Sequence, residues 1–250
     1  MCWNKEVSLI TYIVVTVLVI ILYRRNKGSD RHLAIFSAVF VTIQLLEFFA
    51  WLSIERKQQK GSRKLNDVVT RLILLALWAQ PLINTFMAYR SRSNFSGSSA
   101  STAQTSFFAK ADGSPLFNDS VKYLMLIMFF IFVILMILAI KKATDKASSF
   151  ETSPGNNCHL VWKRKNRKGQ SFPMGNGFLA DETYQSYLYM IGLFLPVLLI
   201  RPFKKGVILA VLGAIMLIIA RRISSKEEFG SWWCWVAGIF VLAALLLKDK

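Results

Sequence analysis

The sequence predicts an all-α fold, a polytopic transmembrane bundle of seven helices. Two observations predict it. The chain is 54% hydrophobic, with a mean hydropathy of +0.42, whereas an ordinary soluble domain is about 45–50% apolar. The apolar residues are also gathered into long blocks with few charges, separated by polar and mostly basic segments. Because roughly 20 apolar residues in a helix cross a bilayer core about 30 Å thick, these blocks predict membrane-spanning helices.

Seven blocks have this character, and each predicts one helix. The fourth is the most clearly apolar, since residues 124–140 include no polar side chain. The sixth is the shortest, but basic residues on both sides can extend to the two membrane interfaces. Spanning strands are not expected, because a barrel strand needs only about 10 residues in alternation. In chain order the blocks cover residues 7–23, 32–54, 68–89, 123–140, 184–200, 206–220 and 232–247.

Two long polar loops divide the predicted bundle. Residues 1–90 hold helices 1–3, and residues 91–122 are predicted to be a polar, partly disordered loop. Residues 123–140 form helix 4, residues 141–183 a basic loop, and residues 184–250 hold helices 5–7. This 3+1+3 spacing resembles that of small carriers built from parallel three-helix repeats. The two triplets share no visible sequence repeat, so a plain bundle with two long loops is the alternative.

The basic residues indicate an orientation. Lysine and arginine are more numerous in the segments on the N-terminal side, which favours a cytosolic N-terminus and a lumenal or extracellular C-terminus. Two glycosylation sequons, at Asn94 and Asn118, agree with this assignment, because their use would place the third loop in a lumen.

The net charge of +17 indicates which molecules the protein binds. Because the charges flank apolar blocks, anionic lipid headgroups are favoured over nucleic acid, and a homo-oligomer is an open alternative to a monomer. No aromatic side chains are interleaved with the basic run of the second long loop, as nucleic-acid binding would require. The residues predicted to contact lipid are Lys163, Arg164, Lys165, Arg167 and Lys168.

Polar residues inside the apolar blocks are the candidate functional residues, because burying them in a membrane is costly. Glu47 is the foremost, with apolar neighbours on both sides in helix 2. Gln44 and Trp51 lie three residues before it and four after it, so the three share one helix face.

Helix 3 holds a second polar pair, Gln80 and Asn84, spaced one turn apart around Pro81. At 1.5 Å per residue, the depth of Gln80 is close enough to that of Glu47 for long side chains to meet. One interpretation is a proton- or cation-coupled site between the helices. The other is hydrogen bonding that holds the bundle together, worth about 1 kcal/mol per contact.

The three cysteines form a second constellation. With seven spans, Cys2, Cys158 and Cys234 all lie on the N-terminal side, and His159 adjoins the second of them. Such a set can bind zinc. The spacing contains no Cys-x-x-Cys pair, so reduced structural cysteines are favoured over a metal site, and no cofactor is predicted.

Five short motifs are spread over the chain. They are Met1-Cys2-Trp3, Leu45-Leu46-Glu47, Gln80-Pro81-x-x-Asn84, Cys158-His159-Leu160-x-Trp162 and Gly230-Ser231-Trp232-Trp233-Cys234. Together they resemble a family of seven-helix membrane proteins from large double-stranded DNA viruses, algae and fungi. The resemblance implies a seven-helix membrane protein and no particular activity, and it emphasises Cys2, Trp3, Glu47, Gln80, Asn84, His159 and Cys234.

Three functions are consistent with these patterns. The favoured one is a carrier-like or sensor-like protein for a small polar solute or proton, through a polar site on helices 2, 3 and 7. The alternative is a structural or assembly protein of a viral or host internal membrane. A membrane-embedded enzyme using a cysteine or His159 comes third, because the phosphate-loop, zinc-protease and serine-hydrolase motifs are absent from the sequence.

Overall fold

A computed structural model of the chain describes residues 4–56, 59, 61–93, 115–156, 159–165, 168, 170–173, 183–200, 202–223 and 229–247. These residues are 81% helical and include seven helices, which confirms the predicted all-α class. Each helix overlaps one predicted apolar block. The helices are α1 (Lys5–Arg25), α2 (Asp30–Glu55), α3 (Ser62–Ser93), α4 (Pro115–Thr144), α5 (Thr183–Leu198), α6 (Phe203–Ile223) and α7 (Phe229–Leu246).

Five of the described helices are long and apolar enough to cross a membrane, namely α1, α2, α3, α4 and α6. The helices α5 and α7 are also apolar but shorter. The chain therefore has the helices of a multi-pass membrane protein, while the number of seven crossings stays a prediction. The block predicted to be shortest lies within the 21-residue α6, because the basic residues at both ends continue the helix.

Two helices occupy the centre of the bundle. We compared the most apolar stretch of each helix. The share of its residues buried inside the protein is 56% in α2 and 50% in α3, but 22% in each of α1, α4 and α6. The outward faces of these three are apolar, with Ile10, Ile127 and Ile218 all more than half exposed. Such continuous apolar surfaces are unfavourable in water, and they suit contact with lipid chains.

The helices run antiparallel to their neighbours in the chain. Asn4 caps the start of α1 by accepting a hydrogen bond from Val7 N at 2.9 Å. Asn26 ends α1 in the left-handed region (φ 48°), which a short polar side chain tolerates. The resulting tight connection returns α2 alongside α1, and Lys5 pairs with Glu55 at 2.6 Å. We call the end of the bundle that holds this pair the N-terminal face.

A small antiparallel sheet lies between α4 and α5, within the segment predicted as a basic loop. Its strands are β1 (Ser149–Pro154), β2 (Leu160–Lys165) and β3 (Ser171–Pro173), in the order β1-β2-β3. Burial alternates along β1, with Phe150 and Thr152 buried. The strands have six, six and three residues, too few for hydrophobic alternation to be distinguished from a polar loop in the sequence.

The sheet is fixed to the start of α3 by side chains that pair with its edge strand. Thr152 N donates to Asn66 Oδ1 at 2.7 Å, and Asn66 Nδ2 donates to Thr152 O at 3.0 Å. The asparagine amide thus takes the place of a neighbouring strand. Thr70 adds a hydroxyl contact to Thr152 at 2.6 Å, and Arg71 donates to Ser148 O at 2.6 Å. Because an unpaired strand edge is a liability, these bonds also complete the sheet.

Candidate functional site

Glu47 lies inside the bundle near the N-terminal face. It is fully buried, and its position eight residues before the end of α2 places it about 12 Å from that end. Gln44 and Trp51, predicted to share its helix face, are buried as well. Gln44 Nε2 donates to Glu47 Oε2 at 3.1 Å. The predicted polar face of α2 is therefore directed into the protein.

The partner of Glu47 on another helix is Ser231, in the first turn of α7. Its hydroxyl approaches the Glu47 carboxyl, although Oε1 has no well-formed hydrogen bond within the described part of the chain. Ser231 Oγ also lies 3.4 Å from His159 Nδ1, a long hydrogen bond. The His159 ring stacks on Trp232 at 4.3 Å between centroids. A polar chain thus runs from Glu47 in the bundle to His159 beside β2.

Close packing of α7 on the sheet holds this chain in place. A Cβ atom on Gly230 would lie 2.6 Å from the Trp162 ring, so only glycine permits the first turn of α7 to approach β2 this closely. Three of the short motifs, separate in the sequence, therefore meet at one junction. Ser231 was quoted in the last motif but was not among the predicted site residues. Its position next to the apolar stretch of helix 7 was the feature that could have identified it.

Gln80 is buried in a different part of the bundle. Its side-chain oxygen accepts a hydrogen bond from the Tyr189 hydroxyl of α5. Its Nε2 has no hydrogen-bond partner among the residues described. This pair connects α3 with α5.

Asn84 donates hydrogen bonds to α5, where a backbone carbonyl lacks its usual helical partner. Pro196 has no N–H, so the carbonyl of Gly192 one turn earlier loses its usual helical partner. Asn84 Nδ2 donates to Gly192 O at 3.1 Å and to Leu193 O at 2.9 Å. Its Oδ1 contacts His32 Nε2 of α2 at 2.8 Å. Asn84 therefore joins three helices, and nothing in a single apolar block predicted its partners.

The five predicted site residues thus form two groups. Gln44 and Glu47 lie near α7, and Trp51 follows on the same face of α2, whereas Gln80 and Asn84 lie against α5. In the described part of the chain, no hydrogen bond joins Glu47 to either residue of the second group. The predicted similarity in depth is wrong. His32 lies beside Asn84 and Ser53 beside Asn66, so Gln80 lies about ten residues, or about 15 Å, from the level of Glu47.

Two cavities lie beside these groups. The larger, about 40 Å³, is bounded by α2, α5, α6 and α7 and is lined mainly by aromatic and aliphatic side chains. The smaller, about 10 Å³, lies between α1, α2 and α7. Its polar lining residues are Thr11, Ser37 and Gln44. Gln44 Oε1 is buried and has no hydrogen-bond partner among the described residues, which suits a site for water.

An ion cluster closes the opposite end of the bundle. The fully buried Asp30 accepts hydrogen bonds from Arg25 at 2.6 and 2.8 Å and from Lys205 at 3.0 Å. Arg25 also donates to the last carbonyls of α7, those of Ala244 and Leu245. The basic residues before helix 6 were expected to extend to the interface, but Lys205 is only 2% exposed. Its carboxylate partner on α2 makes this burial possible.

The basic run predicted to contact lipid begins in β2. Its described members are Lys163, Arg164, Lys165 and Lys168, and Arg167 lies outside the described residues. Alternation along the strand places Arg164 on the face of the buried Trp162, and the two lysines on the other face. Lys165 pairs with Glu151 at 2.8 Å. Contact with lipid stays a prediction.

Most of the predicted metal ligands lie outside the part of the chain that the structure describes. Cys2 and Cys158 lie outside the described residues, and only the backbone of Cys234 is described. Within the described part, no three histidine, cysteine or acidic residues are grouped to hold a metal ion. Of the two sequons, Asn94 is outside the described residues. Asn118 lies in the first turn of α4, which begins earlier than predicted.

Comparisons with known proteins identify no relative. No protein-family model matches the chain, and neither a curated protein nor a solved structure matches it.

Proposed function

We propose that the chain is a carrier-like or sensor-like membrane protein in which Glu47 takes up and releases a proton. The observation that carries this proposal is the full burial of the Glu47 carboxyl, with only Gln44 making a well-formed hydrogen bond to it among the described residues. An ionisable group at this depth is costly to bury and commonly has a functional role.

The surroundings of Glu47 favour a proton over a larger polar solute. The larger cavity offers few polar groups to bind such a solute. The smaller cavity beside Gln44, about 10 Å³, has room for a single water molecule at most. Ser231 and His159 extend a line of polar side chains from Glu47 toward the sheet. With the proposed orientation, that line leads to the cytosolic side.

The test is proton movement into liposomes that contain the purified protein and a trapped pH-sensitive dye. We expect a pH gradient to drive proton flux through the unmodified protein, and Glu47→Gln to reduce that flux at least ten-fold. Glu55→Gln is the matched control, because it makes the same change at the exposed end of the same helix, and it should leave flux unchanged. A sensor without flux should instead show pH-dependent tryptophan fluorescence that Glu47→Gln abolishes.

A structural or assembly function is the second candidate, and the docking of the sheet favours it. Asn66 and Arg71 hold β1 rigidly against α3, so the basic strand β2 is presented in a fixed position at the N-terminal face. Such a surface suits anionic lipid headgroups. We expect anionic lipid to co-purify with the protein, and the double variant Lys163→Gln, Lys165→Gln to reduce its amount. Absence of both proton flux and fluorescence change would favour this function over the first.

A further inference from the structure

One buried face of α2 connects the two carboxyl groups that lie inside the bundle on this helix. Its members, separated by seven, three, four and three residues, are Asp30, Ser37, Phe40, Gln44 and Glu47. Steps of three, four and seven residues keep side chains on one side of a helix, and all five are buried. We call them the α2 stripe. It is about 26 Å long and leads from the Glu47 group to the ion cluster at the opposite end of the bundle.

The helix α7 covers the α2 stripe and is joined to it at both ends. In its first turn, Ser231 approaches Glu47. In its last turn, two backbone carbonyls accept hydrogen bonds from Arg25, which also pairs with Asp30 at 2.6 Å. Each end of α7 is therefore connected to one carboxyl group of the stripe, through Ser231 at one end and through Arg25 at the other.

The middle of the same interface is less completely packed. The ring centroids of Phe40 and Trp233 are 6.4 Å apart across it. Both small cavities are also here, and Ser37 and Phe40 line both of them. Along α2 the cavities extend from Gln44 to Phe36, about 12 Å. Because side chains beside a void lack contacts on one side, this part of the interface opens at a lower cost than a close-packed one.

We propose that the α2 stripe and α7 line a proton pathway from Glu47 to the opposite end of the bundle, and that the ion cluster around Asp30 is its gate. This inference rests on the proposed proton function, because a carrier exposes its site to each side of the membrane in turn. The gate is closed in this structure. The two cavities measure only about 40 and 10 Å³, and the larger is too apolar to hold stable water.

Burial and connectivity suit the cluster to this role. Asp30 is fully buried and Lys205 is 2% exposed, so the cluster closes the end of the stripe. Its members join α1, α2 and α6 to one another and to α7. The last carbonyls of a helix have no partner within it, so α7 can leave Arg25 without breaking its own hydrogen bonds. At the other end, the close packing of Gly230 on Trp162 makes the first turn of α7 the pivot.

The reactivity of a single thiol on the stripe tests the gate. Ser37→Cys places this thiol beside both cavities, after the three native cysteines are replaced by alanine. A methanethiosulfonate reagent that does not cross membranes modifies it in nanodiscs, and mass spectrometry gives the rate. We expect slow modification while the gate is closed, since Ser37 is 3% exposed. Asp30→Asn weakens both ion pairs and should speed modification at least ten-fold, or about 1.4 kcal/mol in the opening equilibrium.

Two controls separate gating from a general loosening of the fold. Ile43 is also buried but lies about 120° around α2 from Ser37, so the thiol of Ile43→Cys should stay unreactive when Asp30→Asn is added. Asn84→Leu removes a polar contact from the other side of the same end of α2, and it should not speed modification of the Ser37→Cys thiol.

Folding of every variant is checked by circular dichroism, and Lys205→Met, which removes one of the two ion pairs, replaces Asp30→Asn if that variant does not fold. An unchanged rate at Ser37→Cys, or equal acceleration at Ile43→Cys, would overturn the gate. Faster modification in a protein that shows no proton flux in liposomes would support the gate and refute the proton function. Proton flux without faster modification would refute the gate alone.

Discussion

Replacing Asn84 by leucine removes three hydrogen bonds that join α3 to α2 and α5. Hydrogen bonds between membrane helices average about 0.6 kcal/mol each, with a maximum near 1.7. We therefore expect Asn84→Leu to lower the free energy of unfolding by about 2 kcal/mol, which changes the folding equilibrium roughly thirty-fold. Reversible unfolding in mixed micelles with increasing SDS, followed by circular dichroism, measures this difference.

The backbone defect in α5 permits a sharper test. Pro196→Ala restores an N–H that can bond to the carbonyl of Gly192 within the helix. When residue 196 is alanine, the Gly192 carbonyl keeps a helical partner even after Asn84→Leu. The loss of unfolding free energy caused by Asn84→Leu should therefore fall to about 1 kcal/mol. The double-mutant cycle therefore predicts a coupling of about 1 kcal/mol. A coupling below roughly 0.3–0.5 kcal/mol, the range seen for independent sites, would refute the role of Asn84 as the partner of that carbonyl.

Three further predictions concern the sheet, the junction and the ion cluster. Asn66→Ala removes both bonds to the Thr152 backbone, and at about 1 kcal/mol per bond it should speed hydrogen exchange in β1 by at least ten-fold; unchanged exchange would show that other contacts hold the sheet. Gly230→Ala places a methyl group against Trp162 and should cost about 1–3 kcal/mol of stability, seen as a lower melting temperature. Asp30→Ala leaves the buried Lys205 and the partly buried Arg25 without their carboxylate and should cost about 3–5 kcal/mol, and a melting temperature equal to that of the parent would contradict the pairing.

The helices could be predicted from the sequence because a single property, the length of apolar blocks, determines where they lie. The contacts between helices could not. Glu47 and Gln80 were expected at similar depth, but the register of α2 and α3 separates them by about 15 Å, and their side chains meet α7 and α5 instead. Which face of a helix meets which neighbour depends on packing across the whole bundle, and a single sequence does not contain that information in a local pattern.

Charges were the other source of error. Lysine beside an apolar block usually extends to the interface. This expectation failed at Lys205, because its partner Asp30 lies 175 positions earlier in the chain, just before the second predicted block. The basic run was assigned to a loop, because a strand this short gives no clear alternation in the sequence. Lys163, Arg164 and Lys165 form the second half of a short strand whose first three residues, Leu160, Val161 and Trp162, are buried on both faces.

The contact between Arg25 and the end of α7 has a consequence for assembly. The first and last described helices are neighbours, and Arg25 binds carbonyls in the final turn of α7. The helical ring therefore closes only when its last member arrives. Until then the spaces beside Gln44 and Phe40 lack the wall that α7 supplies.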